Sequence, residues 1–341
     1  MFIATDVSLR SYHTFGLDVR TAALAQFNTE ADLRELLNLD WTSRMVLGGG
    51  SNVLFAEDYE GLVLVNRIEG ISIEEESGTT VTISAGAGVN WHGLVLWSLE
   101  RGLSGLENLS LIPGTCGAAP IQNIGAYGVE LSDVFVSLDG IDLTTGQKRR
   151  FTAKDCRFGY RYSIFKDQLK GQFAITRITL RLERGTNRLS LEYGAIREEL
   201  DAMEIRNPTA ADVSRAVVRI RQNKLPDPEV LGNAGSFFKN PEVSAMRAAE
   251  LREEFPKIPF WPMAEGRVKT SAGWLIEQCG WKGRRVGHVG CYARQALVLV
   301  NYGEATGAEL WEHAQRVAES VASRFGIQLI PEVNVVGQPR S

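Results

Sequence analysis

Cysteine and histidine are both scarce in this chain, with four of each among 341 residues. Cys116, Cys156, Cys279 and Cys291 form no C-x-x-C pair, and none has zinc-ligand spacing with His13, His92, His288 or His313. That excludes a disulfide framework and a structural metal, and it suits free thiols in a reducing compartment. Long apolar runs are also lacking. No stretch reaches the roughly 18 residues of a membrane span, and the N-terminal MFIATDVSLRSYHTFG has no signal-peptide core. A cytoplasmic protein without a membrane partner is the expectation. Charge of one sign does not dominate: 37 basic residues face 41 acidic ones, a net −4. This balance argues against nucleic acid as a partner. Internal repeats, low-complexity tracts, a Rossmann G-x-G-x-x-G and a Walker loop are all absent.

What is present is an ordinary globular composition, 44% hydrophobic and 23% charged, in a chain long enough for two or three domains. Thr29 with Asp32 predicts a helix cap, and Leu33, Leu36 and Leu37 give the helix one apolar face. Strands are predicted at 45–47, 61–65, 80–84, 134–143 and 173–182, and a helix over 91–101 with Gly102 as its stop. Asn207-Pro208 is expected to start a helix whose buried stripe is Val213, Ala216, Val217 and Ile220. It must end near Leu225, because Pro226 cannot continue it, and 226–228 is the candidate domain boundary. Beyond lie helices over 271–280 and 306–326, the second opened by a Thr306–Glu309 capping box. A buried strand over 296–301 falls between them, and a last strand is expected over 327–336. His313 lies beside the apolar stripe of the last helix and reads as structural.

Two glycine-rich stretches carry the chemistry. Val46-Leu-Gly-Gly-Gly-Ser-Asn52 follows a strand, and its three glycines let backbone N–H groups turn toward an anion without Cβ interference. A tight strand-exit turn is the plainer alternative. In 112–128, IPGTCGAAPIQNIGAYG, four glycines and two prolines fall within 17 residues among small side chains. A loop this long and this poor in charge is usually functional, and small residues let it pass close to a flat or extended ligand.

These loops, with GYRYS at 159–163, GNAGSFFKNP at 232–241 and IPEVNVVG at 330–337, resemble the UDP-N-acetylenolpyruvoylglucosamine reductase family over essentially the whole chain. The resemblance implies an α+β fold: two α/β FAD-binding domains of the oxidase-like FAD-binding fold and a C-terminal α/β substrate-binding domain. Residues 1–70 with 328–341 would form the first FAD-binding subdomain, 71–224 the second, and 225–327 the substrate-binding domain. Gly48, Gly49, Gly50, Ser51 and Asn52 match the loop that holds the FAD pyrophosphate. Ile112, Pro113, Gly114, Pro120, Gln122, Asn123, Ile124 and Gly125 match the second flavin-contacting stretch. No role is assigned to Cys116. The segment 189–200 resembles the tyrosine-bearing loop of the longer family type, which makes Tyr193 the residue closing over the uridine end of the substrate. Lys224, Asn240 and Gln295 match further substrate positions. The chain is expected to be a monomer.

The implied reaction has two halves. NADPH reduces non-covalently bound FAD, and the enolpyruvyl UDP-sugar then enters the same pocket. Hydride passes to its C3 and a proton to C2, giving UDP-N-acetylmuramate for peptidoglycan synthesis. Such a site must stabilise an enolate-like dianion and supply one proton. By the resemblance Arg161 and Glu332 stabilise the enolate and Ser236 donates the proton. A guanidinium stays charged and can grip a carboxylate with paired bonds. Glu332 fits if a proton is held or shared there, as a dry pocket favours. A flavin oxidase of a hydroxy acid or alcohol is a rival; it would want a base, commonly His or Tyr, and often a histidine that attaches flavin covalently, and neither glycine loop contains a histidine. A nucleotide-binding regulatory module is a third reading, and it would not need Ser236, Arg161 and Glu332 together.

Overall fold

Several helices in this chain are capped by short polar side chains that satisfy the amides a helix leaves open. In the computed structural model, which describes residues 2–185, 189–263 and 266–337, the Thr29–Asp32 box opens helix Glu30–Leu37 as its sequence predicts. The Thr306–Glu309 box opens Gly307–Phe325, which stops at Gly326 in the left-handed conformation. Residues 338–341 of the expected first-domain segment lie outside the described residues. One cap differs from expectation. The helix foreseen at Asn207-Pro208 begins at Ala210, because Thr209 and Asp212 exchange side-chain-to-backbone bonds and satisfy its first turn. It ends at Lys224, just ahead of Leu225-Pro226.

The chain divides into two compact units. The first comprises Met1–Val7, Thr21–Gly50 and Glu60–Gln222. It holds a four-stranded sheet ordered Ile3–Ser8, Arg20–Phe27, Tyr59–Asn66, Arg44–Leu47, the last pair parallel. Helix Glu30–Leu37 contributes Leu33 and Leu36 to a core with Phe27, Leu62 and Leu64. A second, antiparallel sheet runs Lys148–Thr152, Phe135–Asp142, Phe173–Arg184, Thr80–Gly86, Ile71–Ser77. The larger core lies on it, with Trp91, Leu94 and Val95 of helix Trp91–Glu100 against Val81, Ile83 and Leu180. Helices Gly194–Ala202 and Ala210–Lys224 close a satellite core of Ile196, Leu200, Val213, Val217 and Ile220.

The second unit comprises Ser8–Arg20, Ser51–Tyr59 and Asn223–Ser341. Its main sheet is ordered Gly232–Ser236, Val298–Asn301, Val289–Cys291, Arg285–Val286. A smaller sheet pairs Arg267–Thr270 with Glu242–Ser244 and Phe260–Pro262. The expected last strand over 327–336 is only Asn334–Val336, parallel to Val53–Phe55. Pro331 has no N–H to continue a ladder. Residues 330–332 pair instead with 237–239: Glu332 N donates to Phe237 O at 2.8 Å and Lys239 N to Ile330 O at 2.9 Å.

His313 is structural. It is 2% exposed on helix Gly307–Phe325, edge-on to Trp281, with Nε2 3.7 Å from Cys291 Sγ. Burial, reinforced by the charges of Arg316 and Arg284, pushes the imidazole down to about 4. Its folded value therefore lies below the ordinary 6.5, so the unfolded chain binds the proton first and stability is lost as pH falls from 6.5 toward 4. Denaturant titrations should show His313 contributing a loss of roughly 2–3 kcal/mol over that window. The variant His313→Gln should lack this slope, and an identical slope in both proteins would assign the loss elsewhere.

Candidate active site

The two glycine loops meet inside the first unit. A Cβ added to Gly49 would lie 2.9 Å from Gly114 Cα, and one added to Gly48 would lie 2.5 Å from Thr115 Oγ1. The backbones touch, so side chains are excluded from 48–49 and their peptide groups stay bare. Thr115 Oγ1 is buried beside them and has no hydrogen-bond partner among the described residues. A buried hydroxyl without a partner, next to bare peptide groups, is what an acceptor-rich ligand such as a pyrophosphate would complete. Ile112 and Ile124 pack on the larger core, and Pro120 is buried in the 3-10 turn Ala119–Gln122. Pro113 and Gly114 connect the two loops' point of contact to Ile112, with Gly114 at φ +111°.

The hairpin 159–163 is laced to the second loop. Gly159 and Tyr162 exchange backbone bonds at 3.1 Å each, leaving Tyr160 and Arg161 at the tip. Asn123, fully buried, donates to Gly159 O at 3.3 Å and to Glu130 at 2.8 Å, and accepts from Ser132 N at 2.9 Å. Ser163 Oγ donates to Ile121 O at 2.7 Å, and Lys166 Nζ to Gln122 Oε1 at 2.6 Å. Arg161 itself reaches back, Nη2 to Gly125 O at 2.7 Å. Arg161, Asn123, Tyr127 and Leu111 all have positive φ, between 48° and 58°. Such strain in non-glycine residues persists only where the surroundings over-determine it, and it clusters at functional sites. The Asn123 side chain is committed within the protein, so any ligand contact there falls to its backbone.

Four residues of this region escaped the sequence reading. Thr115 is one. Arg221 is another: its Nε donates to Leu111 O at 3.2 Å, and its guanidinium hydrogen-bonds the Tyr127 phenol. Burial works against the Arg221 charge, Tyr127 supports it, and nearby Arg161 opposes it. Burial likewise pushes the Tyr127 phenol up. His92 Nδ1 accepts from Leu111 N at 3.0 Å, and burial with the Arg221 charge pushes its imidazole down, keeping it neutral. The available signal was positional: Arg221 stands four residues after Val217, on the helix face that should be apolar. Tyr193 is half exposed and packs edge-on against Tyr127, ring centroids 5.3 Å apart.

The second unit holds the other candidates. Strand Gly232–Ser236 carries a bulge between Asn233 and Ser236, where Gly235 takes φ +67° and Asn233 Oδ1 accepts from Gly235 N at 2.9 Å. Bulges re-aim the residue that follows, and that residue is half-buried Ser236. The next residue, Phe237, accepts from Glu332 N, so Ser236 and Glu332 lie on paired backbones. Glu332 is only 9% exposed. Asn52, the last residue of the first glycine motif, donates through Nδ2 to Glu332 O at 3.3 Å and accepts from Asn334 N at 3.0 Å. Asn240 and Gln295 converge on the start of helix Ala272–Gln278. Asn240 Oδ1 accepts from Ala272 N at 3.0 Å, and Gln295 Oε1 lies where a Cβ on Gly273 would come within 2.8 Å. Lys224 ends its helix with an exposed side chain. Arg161 belongs to the first unit, and Ser236 and Glu332 to the second. Among the described residues no group of His, Cys, Asp and Glu could hold a metal, and no helix is long and apolar enough to cross a membrane.

Comparison with known proteins agrees with this architecture. Residues 21–152 match the family profile described as FAD binding domain, and 227–336 match UDP-N-acetylenolpyruvoylglucosamine reductase, C-terminal domain. The UDP-N-acetylenolpyruvoylglucosamine reductase of Pseudomonas aeruginosa is 54% identical over 96% of this chain and 97% of its own length. Those of Chromobacterium violaceum and Amoebophilus asiaticus are 50% and 47% identical, over 96% and 98% of this chain and 97% and 100% of their own. The crystal structure of the reductase from Thermus caldophilus shares the fold, with a TM-score of 0.66 at 24% identity, covering 98% of this chain and 99% of that one. The chain is an FAD-dependent oxidoreductase of α+β fold, and it belongs to the UDP-N-acetylenolpyruvoylglucosamine reductase family.

Proposed function

We propose that this protein uses NADPH to reduce the enolpyruvyl double bond of UDP-N-acetylglucosamine enolpyruvate, giving UDP-N-acetylmuramate for peptidoglycan synthesis in the cytoplasm. The observation that carries the reading is the strained Arg161 hairpin, laced bond by bond to the glycine loop at 121–125. It fixes a permanent cation to the loop that the family uses to hold its flavin.

The residues present fit FAD: bare peptide groups at Gly48 and Gly49 with the Thr115 hydroxyl for the pyrophosphate, and the small-residue stretch 112–125 for the flavin side. FAD held there would supply the redox chemistry, linking oxidation of NADPH to hydride addition at C3 of the substrate. Arg161 grips the substrate carboxylate and favours the charge that spreads into it. Arg221 adds a second cation, half-buried like Arg161, and holds Tyr127. Ser236 gives a proton to C2, its backbone brought close by the bulge at Gly235. Glu332, only 9% exposed, acts with Arg161 in stabilising the enolate, in a setting that excludes water. Tyr193 closes over the uridine end, while Lys224, Asn240 and Gln295 meet the phosphates and sugar. The three-domain division at 70, 224 and 327 is supported by the sheets, each of which keeps to one of those segments, with 334–336 returning to 53–55.

Two variants probe these roles. Gly49→Ala forces the two loops apart, so FAD retention should weaken about tenfold or more. Flavin absorbance per protein after gel filtration reads it directly, and full retention would remove the pyrophosphate role from this loop. In stopped-flow mixing, Ser236→Ala should be reduced by NADPH at the wild-type rate yet be reoxidised by the enolpyruvyl sugar about 100-fold more slowly or worse. Glu332→Ala should behave likewise with substrate binding largely kept. Unchanged product formation by Ser236→Ala would end its assignment as proton donor, and loss of FAD from Glu332→Ala would mark that residue as structural.

A further inference from the structure

One fully buried polar side chain in the first unit has none of the roles above. Asn108 lies in the 3-10 turn Glu107–Leu109 and is 1% exposed. Its Nδ2 donates to Tyr127 O at 3.0 Å and to Ser190 O at 2.9 Å. Tyr127 ends the glycine-rich loop, and Ser190 leads into Tyr193. The Oδ1 is buried and has no partner among the described residues. A flipped amide would turn that oxygen onto two carbonyls, so the donor orientation is fixed by the surroundings.

The turn that carries Asn108 is itself bolted in place. The buried Glu107 carboxylate accepts from Gly105 N at 2.6 Å. Ser110 Oγ bonds Glu107 O at 2.7 Å and Ser214 Oγ of helix Ala210–Lys224 at 2.7 Å. The two carbonyls held by Asn108 belong to segments that meet again through the edge-on Tyr127–Tyr193 rings. Tyr127 sits at φ +51°, a conformation that needs outside support. One rigid amide thus sets the spacing between the flavin-side loop and the tyrosine segment.

We propose that Asn108 is a positioning residue that couples the seating of loop 112–128 to the placement of Tyr193, and so sets affinity for the uridine end of the UDP-sugar. This rests on the reading of Tyr193 as a substrate contact. Asn108→Ala removes both hydrogen bonds and leaves two carbonyls unpaired. The KM for the enolpyruvyl UDP-sugar should rise about tenfold. FAD retention, the rate of flavin reduction by NADPH and kcat should stay within about twofold of wild type. Tyr193→Ala should raise the same KM, and the double variant should be no worse than Tyr193→Ala alone, because both changes remove one interaction. Should Asn108→Ala fail to fold, Asn108→Ser carries the same comparison. Multiplying KM effects, an unchanged KM, or loss of FAD together with slower flavin reduction would overturn the coupling. Wild-type turnover in the same assay separates the cases. If wild type itself does not act on the enolpyruvyl sugar, the proposed function fails; if it does and the variants do not follow the pattern, only the coupling fails.

Discussion

Everything in the first unit's candidate site depends on a contact with no side chains in it: the backbone of Gly49 against that of Gly114. Such contact cannot be held by hydrophobic packing of the touching residues, because neither has a side chain to bury. It is held from behind. Ile112 and Ile124 anchor the second loop on the larger core, Pro120 stiffens its turn, and Asn123 ties it to Gly159. Strand Arg44–Leu47, parallel to Tyr59–Asn66, aims the first loop at it. The result is a stretch of exposed peptide groups with fixed direction, which suits an anion-bearing cofactor better than flexible side chains would.

The same economy governs charge. Burial works against the charge of Arg221, and the like charge of nearby Arg161 adds to the cost. Tyr127, Leu111 O and Gly125 O offset part of it. Two cations held this way favour an anion, and the enolpyruvyl carboxylate of the proposed substrate is one. His92, kept neutral by burial and by Arg221, adds no third charge.

The sequence made the repeated local signals legible. Gly48–Gly50 and the 112–128 run stood out because charge-poor glycine stretches are uncommon. The Thr29 and Thr306 caps were readable because their reciprocal partners lie three residues on. Where two local signals competed, reading was harder: Asn207-Pro208 hid the stronger Thr209–Asp212 cap. Long-range pairing was not legible at all. Pro331 breaks the last strand, and nothing local says that 330–332 will pair with 237–239. Nor does anything local say that the Asn123 side chain will bond Glu130, Ser132 and Gly159. Arg221 and Asn108 drew no attention because their importance lies in partners far along the chain. The roles proposed for Ser236, Arg161 and Glu332 rest on family resemblance: Arg161 and Ser236 alone are ordinary in sequence, and Glu332 stands out only as an acid in an apolar strand after Pro331.

The most direct test is an anaerobic visible spectrum of the purified protein, titrated with NADPH and then with UDP-N-acetylglucosamine enolpyruvate. A bound-flavin band that bleaches with NADPH and returns on adding the sugar is the predicted result. A band that bleaches but is restored only by oxygen would contradict the substrate assignment. Protein that shows no bound-flavin band, even with added FAD, would contradict the account at its base.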